Sequence, residues 1–375
     1  MSVIKMVPLL IFFSLLTACR SGDSTTGSLT VVAELSAEAA IGKALFFDTS
    51  LSNPAGQSCA SCHSPQHGFA EPDRHLPVSQ GANPAHFGNR NAPSLAYAAF
   101  SPAFHFDKEE GLYIGGQFFD GRAATAETQA IQPLLNPIEM NNASVDELLV
   151  KLRQASYAAD IQRVYGEQTL QDSAKAVAAL GQAIAAYERS PEVVPFSSKY
   201  DGYLAGKLSL SAQELRGLQV FEDEKQGNCA ACHPSAPGKD GSAPLFTDFS
   251  YDNLGVPVNH NNPYLGMPAS FNPEGKAYRD KGLGAVLDKR EEEGKFKVPG
   301  LRNIALTAPY MHNGVFTTLE QVVDFYNSRD TNSSWGPAEI EENVNREELG
   351  DLKLSEQQQA DLVAFLHTLS DGYTK

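Results

Sequence analysis

Apolar residues in this chain recur three and four positions apart far more often than they alternate, which predicts helices and few strands. From Glu34 to Phe47, the residues Leu35, Ala39, Ile41, Leu45 and Phe46 fall along one helical face. Ser211 opens a second such helix, with Glu214 completing a capping box and Leu215, Leu218, Val220 and Phe221 as its apolar set. Ser144 with Glu147 caps another, and Asp172 to Arg189 forms a long Ala-rich helix. Thr317 with Glu320 caps a short helix, and Ser355 with Gln358 caps the last. Ser190 to Lys207, with Pro191, Pro195 and two glycines, reads as an inter-domain connector. Residues 234 to 300 are rich in Gly, Pro, Asn and Asp and predict irregular backbone. The fold class is mainly α, in two domains over 31–195 and 196–375, behind an N-terminal segment of residues 1–30.

The first and second helices share a Gly-x-x-x-Phe element, Gly42 to Phe46 and Gly217 to Phe221. Each is soon followed by the same pentapeptide pattern: Cys59-Ala60-Ser61-Cys62-His63 and Cys229-Ala230-Ala231-Cys232-His233. C-x-x-C-H is the attachment sequence for c-type haem. Two thiols one helical turn apart can form thioethers to one edge of the porphyrin, and the following histidine then supplies a nitrogen to the iron. C-x-x-C alone would also suit a zinc half-site or a redox pair, but zinc leaves both histidines unexplained. The chain thus reads as two cytochrome c-like domains, each carrying one covalently bound haem c through Cys59, Cys62 and His63 or through Cys229, Cys232 and His233. The haem supplies the apolar core that the irregular stretches lack.

A net charge of −16 argues against nucleic acid as a partner, since nothing resembles a basic groove. A small protein is the expected macromolecular partner. Four of the five cysteines are haem attachment thiols and the fifth is Cys19, so no structural disulfide remains to propose. Lys5, the short apolar run Val7 to Leu16 and the ending Leu16-Thr17-Ala18-Cys19 read as a secretion signal. That ending resembles the bacterial lipobox, in which the cysteine becomes a lipidated N-terminus. Arg20 to Thr30, rich in Ser, Thr and Gly, follows as a flexible tether. Together these predict a periplasmic protein lipid-anchored to a bacterial membrane at Cys19.

Between the haem sites, Gly116-Gln117-Phe118-Phe119-Asp120-Gly121-Arg122-Ala123 leads into Glu127-Thr128-Gln129-Ala130 and Pro133-Leu134-Leu135-Asn136-Pro137-Ile138-Glu139-Met140. Further on stand Val298-Pro299-Gly300-Leu301-Arg302-Asn303 and Thr307-Ala308-Pro309-Tyr310-Met311-His312-Asn313-Gly314. With the paired C-x-x-C-H sites, these segments make the chain resemble the bacterial di-haem cytochrome c peroxidases and the related MauG enzymes, from about residue 33 to 370. The resemblance implies that the His63 haem is the peroxide site, with Gln129, Pro133 and Glu139 in its distal pocket. A carboxyl group above the iron can move a proton from the near to the far oxygen of H–O–O–H, and Gln129 can donate a hydrogen bond to developing charge. Arg122 is assigned to a haem propionate. Near Asn83, where the classical peroxidases carry a removable histidine ligand, none stands here; His75 and His86 are the neighbours, and an open iron site is expected.

For the second haem the resemblance implies Tyr326 as the ligand opposite His233, with Met311 and Met267 as rivals. On periodicity alone Tyr326 shares a face with Leu319, Val322 and Val323 and reads as an ordinary buried tyrosine. An anionic phenolate favours oxidised iron, whereas a thioether raises the reduction potential. Asn91, Thr307 and Pro309 match positions that hold a Ca²⁺ through oxygen ligands in the family. Two positions depart from the pattern. Phe119 stands where the family usually has an inter-haem Trp, and Gly227 where MauG has the Trp that passes oxidising equivalents outward. The single Trp, Trp335, falls in a polar stretch that predicts an exposed loop, and His67, His105, His260, His312 and His367 read as surface or satisfied core histidines. The expected activity is reduction of hydrogen peroxide to water with electrons from a small periplasmic donor such as cytochrome c or a cupredoxin. The alternatives are a MauG-like oxidase acting on a protein substrate and a non-catalytic di-haem electron carrier.

Overall fold

The structure, a computed structural model, describes residues 34–374. The predicted signal, the Cys19 lipid anchor and the tether lie outside the described residues.

The helix predicted from Glu34 runs over Ala37–Phe47, because Ser36 caps it by accepting the amide of Ala39 at 3.1 Å. Ala39, Ile41, Gly42, Leu45 and Phe46 are its buried face. It packs on the Ala-rich helix Ser173–Glu188, which Asp172 caps through the amides of Ala174 and Lys175. Gly42 sits at the crossing, where an added Cβ would collide with the carbonyl oxygen of Ala183. One turn along, Phe46 meets Tyr187 with ring centroids 5.4 Å apart.

The second Gly-x-x-x-Phe helix repeats this arrangement. Ala212–Glu222, with the predicted Ser211–Glu214 capping box, crosses the last helix Glu356–His367. A Cβ on Gly217 would collide with the carbonyl oxygen of Asp361, and Phe221 meets Phe365 at 5.1 Å. In both pairs, then, a glycine lies against a carbonyl and a phenylalanine against the ring four residues after it. The internal repeat is a repeated helix crossing.

Apolar packing follows the same division. Ile41, Leu45, Leu134, Leu148, Leu152, Leu180 and Ile184 belong to one core, whereas Phe221, Phe246, Phe316, Phe325, Phe365 and Leu369 belong to another. Strands are few among the described residues: His105–Asp107 pairs antiparallel with Leu112–Ile114, and Tyr251–Asp252 with Phe296–Lys297. Elsewhere in residues 234–300 buried asparagines do the work of a ladder. Asn253 Nδ2 donates to the carbonyls of Ile340 and Glu342, and Asn272 Nδ2 to those of Tyr264 and Gly275.

Two local readings need correction. The helix assigned to a Thr317–Glu320 cap starts one residue later: Thr318 is the N-cap, Gln321 reciprocates, and the helix is Leu319–Ser328. The Ser190–Lys207 connector is not wholly irregular. Ser198 and Asp201 form a capping box that starts the helix Lys199–Leu204. Asp201 also receives a bidentate pair from Arg302 at 2.9 and 2.8 Å, and the Arg302 guanidinium lies over Tyr97 and Phe196 at 4.9 and 4.6 Å.

Candidate functional site

Both C-x-x-C-H segments fold back on themselves in the same way. The amide of His63 donates to the carbonyl of Cys59, and that of His233 to the carbonyl of Cys229, each at 2.9 Å. This turn brings the two thiols and the imidazole to one side. His63 Nδ1 then donates to the carbonyls of Pro93 at 3.0 Å and Phe69 at 3.2 Å. His233 Nδ1 donates to the carbonyl of Phe246 at 2.8 Å. The tautomer is thereby set, with the Nε2 lone pair free to bind a metal. Burial holds the His63 imidazole down to about 4 and the His233 imidazole below its ordinary value, so both are neutral, as ligation needs. The four attachment thiols line the same cavity as their histidines, and burial raises each of them to about 12.

That cavity is continuous, has a volume of ≈ 450 Å³ and includes His63 and His233 in its wall. Among the described residues, no group of three or more His, Cys, Asp and Glu side chains gathers as a metal site, so the cysteine pairs do not converge as zinc would require. The donor set fits haem c instead. Each thiol pair and its free imidazole nitrogen face one largely apolar space, which is what a covalently attached porphyrin needs.

Gln129, Pro133 and Glu139 all reach the cavity wall from the 126–140 segment. Thr125 caps Ala126–Gln129, and Pro133 enters the next short helix, Gln132–Leu135, at its first turn. Glu139 Oε1 accepts from Asn136 Nδ2 at 2.8 Å. Burial raises the Glu139 carboxyl above its ordinary value, opposed by Arg122 and Asn136. A second depression outside this segment is also walled by Phe118, Arg122, Pro133 and Glu139, so Glu139 stands between the cavity and the exterior. Arg122 Nη1 contacts Asp120 at 3.0 Å and its guanidinium covers the Phe118 ring at 3.4 Å. Its outer face is exposed, and it lines the cavity near Glu139.

The neighbours of Asn83 are turned elsewhere. His86 donates from Nδ1 to the carbonyl of Pro137 at 2.9 Å and packs on Phe271, and His75 is exposed; neither lines the cavity. Tyr326 does line it, beside Leu319, Val322 and Val323, while Phe325 next to it fills the core. Burial raises the Tyr326 phenol above its ordinary value, Cys229 and Cys232 add to the rise, and all three residues line the same cavity. Met311 also lines the cavity; Met267 is buried away from it. Asn91, Thr307 and Pro309 share the same wall. Asn91 Nδ2 donates to the carbonyl of Pro77, which leaves Oδ1 for a cation.

Phe119 lines the cavity, and its carbonyl accepts from Lys297 N at 2.7 Å. His312 is a satisfied core histidine, as expected: Nε2 contacts Glu339 at 3.0 Å and the ring stacks on Phe296 at 3.8 Å. Trp335 departs from the expectation of an exposed loop. It is half-buried, edge-on to Phe316 and Phe325 at 5.4 and 5.5 Å.

Glu188 and Lys297 are among the ionisable groups at the cavity wall that escaped the reading of the sequence. Glu188, 3% exposed, lines the cavity from the end of the Ala-rich helix, and burial raises its carboxyl to about 8. Lys297 lines the cavity beside Phe119; burial lowers its amine to about 8, and Nζ donates to the carbonyl of Gly116 at 2.5 Å. The available signal for Lys297 was its position directly before the Val298–Asn303 motif.

Comparison with known proteins agrees with this geometry. The sequence profile of the family described as di-haem cytochrome c peroxidase matches residues 36–209. The methylamine utilization protein MauG of Paracoccus denitrificans is 39% identical over 351 residues, covering 89% of this chain and 88% of that protein. A cytochrome-c peroxidase of Denitromonas iodatirespirans is 32% identical over 88% of this chain and 80% of its own length. The crystal structure of the diheme peroxidase BthA from Burkholderia thailandensis superposes with a TM-score of 0.78 at 38% identity, covering 91% of this chain and 88% of that one. The chain belongs to the family of di-haem cytochrome c peroxidases and MauG proteins.

Proposed function

We propose that this protein reduces hydrogen peroxide to water, with haem c groups on Cys59, Cys62 and His63 and on Cys229, Cys232 and His233, in two domains spanning residues 31–195 and 196–375. The observation that carries the reading is that Glu139, with Gln129 and Pro133, faces the cavity into which His63 Nε2 opens. A pure electron carrier has no use for a buried carboxyl there. The bound iron supplies the redox centre at which the O–O bond is broken. Glu139 takes the proton of the near peroxide oxygen on a carboxylate oxygen and returns it to the far one, so that the leaving group departs as water. Gln129 donates its amide hydrogens to the charge that develops meanwhile. Pro133 cannot offer an amide and narrows the pocket with an apolar ring. Arg122 holds a propionate with the guanidinium edge not engaged by Asp120.

Tyr326 would bind the second iron through its hydroxyl, a reading supported by its place in the same cavity wall as Cys229, Cys232 and His233. Electrons come from a small cytochrome c or cupredoxin. A Ca²⁺ on Asn91, Thr307 and Pro309 joins the inter-haem wall, and the protein works in the periplasm, lipid-anchored at Cys19. The likeness to MauG and the tyrosine at position 326 favour one second reading, oxidation of a partner protein.

Mixing the ferric protein with H₂O₂, with and without reduced cytochrome c, in wild type and Glu139→Gln tests both. Fast cytochrome turnover that Glu139→Gln suppresses supports the peroxidase. A long-lived oxidised state indifferent to the cytochrome supports the protein oxidase, and no reaction with peroxide overturns both.

A further inference from the structure

Oxidising equivalents left at the second site need a way to a reductant that cannot enter the cavity. Gly227 offers no oxidisable side chain. Tryptophan and tyrosine are the side chains that can give up an electron at such a site, and each must shed a proton as it does so. The useful question is therefore which of them has both a ring contact inward and a proton acceptor outward.

Tyr97, whose hydroxyl donates to Asp371 Oδ2 at 2.8 Å, is buried and presents no outward face, and two further tyrosines lack a proton acceptor. Tyr113 lies half-buried in the hairpin, stacked on Phe104 at 5.6 Å, but its hydroxyl receives a hydrogen bond from Lys289 Nζ, a cation that cannot accept a proton. Tyr251 donates at 2.6 Å to the carbonyl of Gly115, which is not a base.

Trp335 meets both conditions. Inward, its indole stands edge-on to Phe325 at 5.5 Å, and Phe325 stands edge-on to Tyr326 at 6.4 Å. Phe325 is fully buried, so the path between Trp335 and Tyr326 runs through packed protein. Phenylalanine is not itself oxidised, so the electron crosses between Trp335 and Tyr326 in one tunnelling step, with the Phe325 ring as the packed medium between them. Outward, Trp335 Nε1 donates to Ser328 Oγ at 3.0 Å. Ser328 Oγ lies 3.2 Å from Asp324 Oδ1 and 2.8 Å from the Asp324 carbonyl. The hydroxyl thus links the indole N–H to the Asp324 carboxylate, and it turns from the carbonyl to the carboxylate to pass its proton on. The residues around the indole, Ser333, Ser334 and Gly336, are exposed, so the ring edge is reachable from outside.

We propose that Trp335 is the surface exit for oxidising equivalents from the second site. On the proposed function, on which this rests, peroxide supplies the oxidant. Trp335 loses one electron across Phe325 toward Tyr326. Its Nε1 proton passes to Ser328 Oγ while the Ser328 hydroxyl proton passes to Asp324 Oδ1, leaving a neutral indolyl radical. A one-electron donor too large for the cavity, docked against the ring edge, returns the electron, and the proton comes back from Asp324. Two such cycles supply the two electrons that one peroxide consumes.

Because Trp335 is the only tryptophan in the chain, labelling assigns it without ambiguity. The holoprotein, grown with ring-deuterated tryptophan, is mixed with H₂O₂ without donor, freeze-quenched and examined by electron paramagnetic resonance. The expected signal is an organic radical whose hyperfine structure collapses on deuteration and which vanishes in Trp335→Phe, a change that keeps an aromatic ring on Phe316 and Phe325. Peptide mass spectrometry after turnover is expected to find oxygen added to Trp335, and less of it when donor is present. Ser328→Ala, which breaks the proton path and leaves the indole, slows oxidation of a protein donor about tenfold and lowers its solvent isotope effect. A radical indifferent to tryptophan deuteration, or undiminished donor oxidation in Trp335→Phe, overturns the route alone. Peroxide that leaves the haem absorption spectrum unchanged overturns the proposed function, and the route with it.

Discussion

Asn136 Nδ2 donates to Glu139 Oε1 at 2.8 Å, so the Glu139 carboxylate is oriented by a residue of its own turn. Glu139→Gln keeps the shape and removes the base, and is expected to slow peroxide reduction by about 10²–10⁴-fold. Asn136→Ala keeps the base and removes the hydrogen bond that holds its affinity for protons down. Its rate–pH profile should therefore lose activity at a higher pH on the acid side than wild type does. Stopped-flow mixing with peroxide across pH measures both; an unmoved acid limb in Asn136→Ala refutes the link.

Glu188 makes stability depend on pH. Its carboxyl is held near 8 in the folded chain, against an ordinary value of 4.5. The folded state then binds a proton that the unfolded state has already lost. Glu188 contributes its share of stability in full below about pH 4.5, and that share is lost as pH rises towards 8. Wild type should weaken over this interval by at most about 1.4 kcal/mol per pH unit from this group, and Glu188→Gln should flatten the slope. Urea unfolding at several pH values decides it, with parallel slopes as the contrary outcome.

On the proposed ligation, Tyr326→Met would exchange an anionic oxygen ligand for a thioether. The second iron's reduction potential should rise, by on the order of a hundred millivolts within the ~0.8 V span that axial ligands command. Spectroelectrochemistry on the holoprotein resolves the two irons, and only the potential of the His233 haem should move substantially. An unchanged pair of potentials would remove Tyr326 from the coordination sphere.

Phe119 lines the cavity, and its backbone carbonyl is held by the Lys297 amide. On the proposed function, Phe119→Trp adds an oxidisable ring to the wall the two haem sites share and should speed electron exchange between them. Rapid-scan absorption after one equivalent of peroxide reads that exchange, and an unaltered rate means the electrons travel by another path.

Much of the site could be read before any fold was known, because haem attachment is written in consecutive residues. C-x-x-C-H places both thiols and the imidazole locally, and Ser211–Glu214 and Ser355–Gln358 cap their helices as their spacing implies. The Thr317–Glu320 cap slipped by one residue for a physical reason. Both Thr317 and Thr318 amides donate to Gln321 Oε1, so two adjacent threonines compete for one cap, and only packing selects between them. Glu188 was hidden differently. Beside Arg189 at a helix end it looks like a solvated charge, and only the contact of two distant helices turns it inward. Trp335 shows the same limit: its polar neighbours are exposed as their chemistry implies, yet the ring itself is drawn onto Phe316 and Phe325.

The paired helix crossings have a consequence for anyone mapping this protein by mutation. Gly42 and Gly217 touch no reactant, yet even one methyl group at either would meet a backbone carbonyl that cannot turn aside. A saturation screen scored on activity would therefore record two positions accepting glycine alone, as intolerant as the haem ligands. Scoring the same library for the amount of folded protein would separate the groups, with the glycine variants losing abundance and Glu139→Gln retaining it.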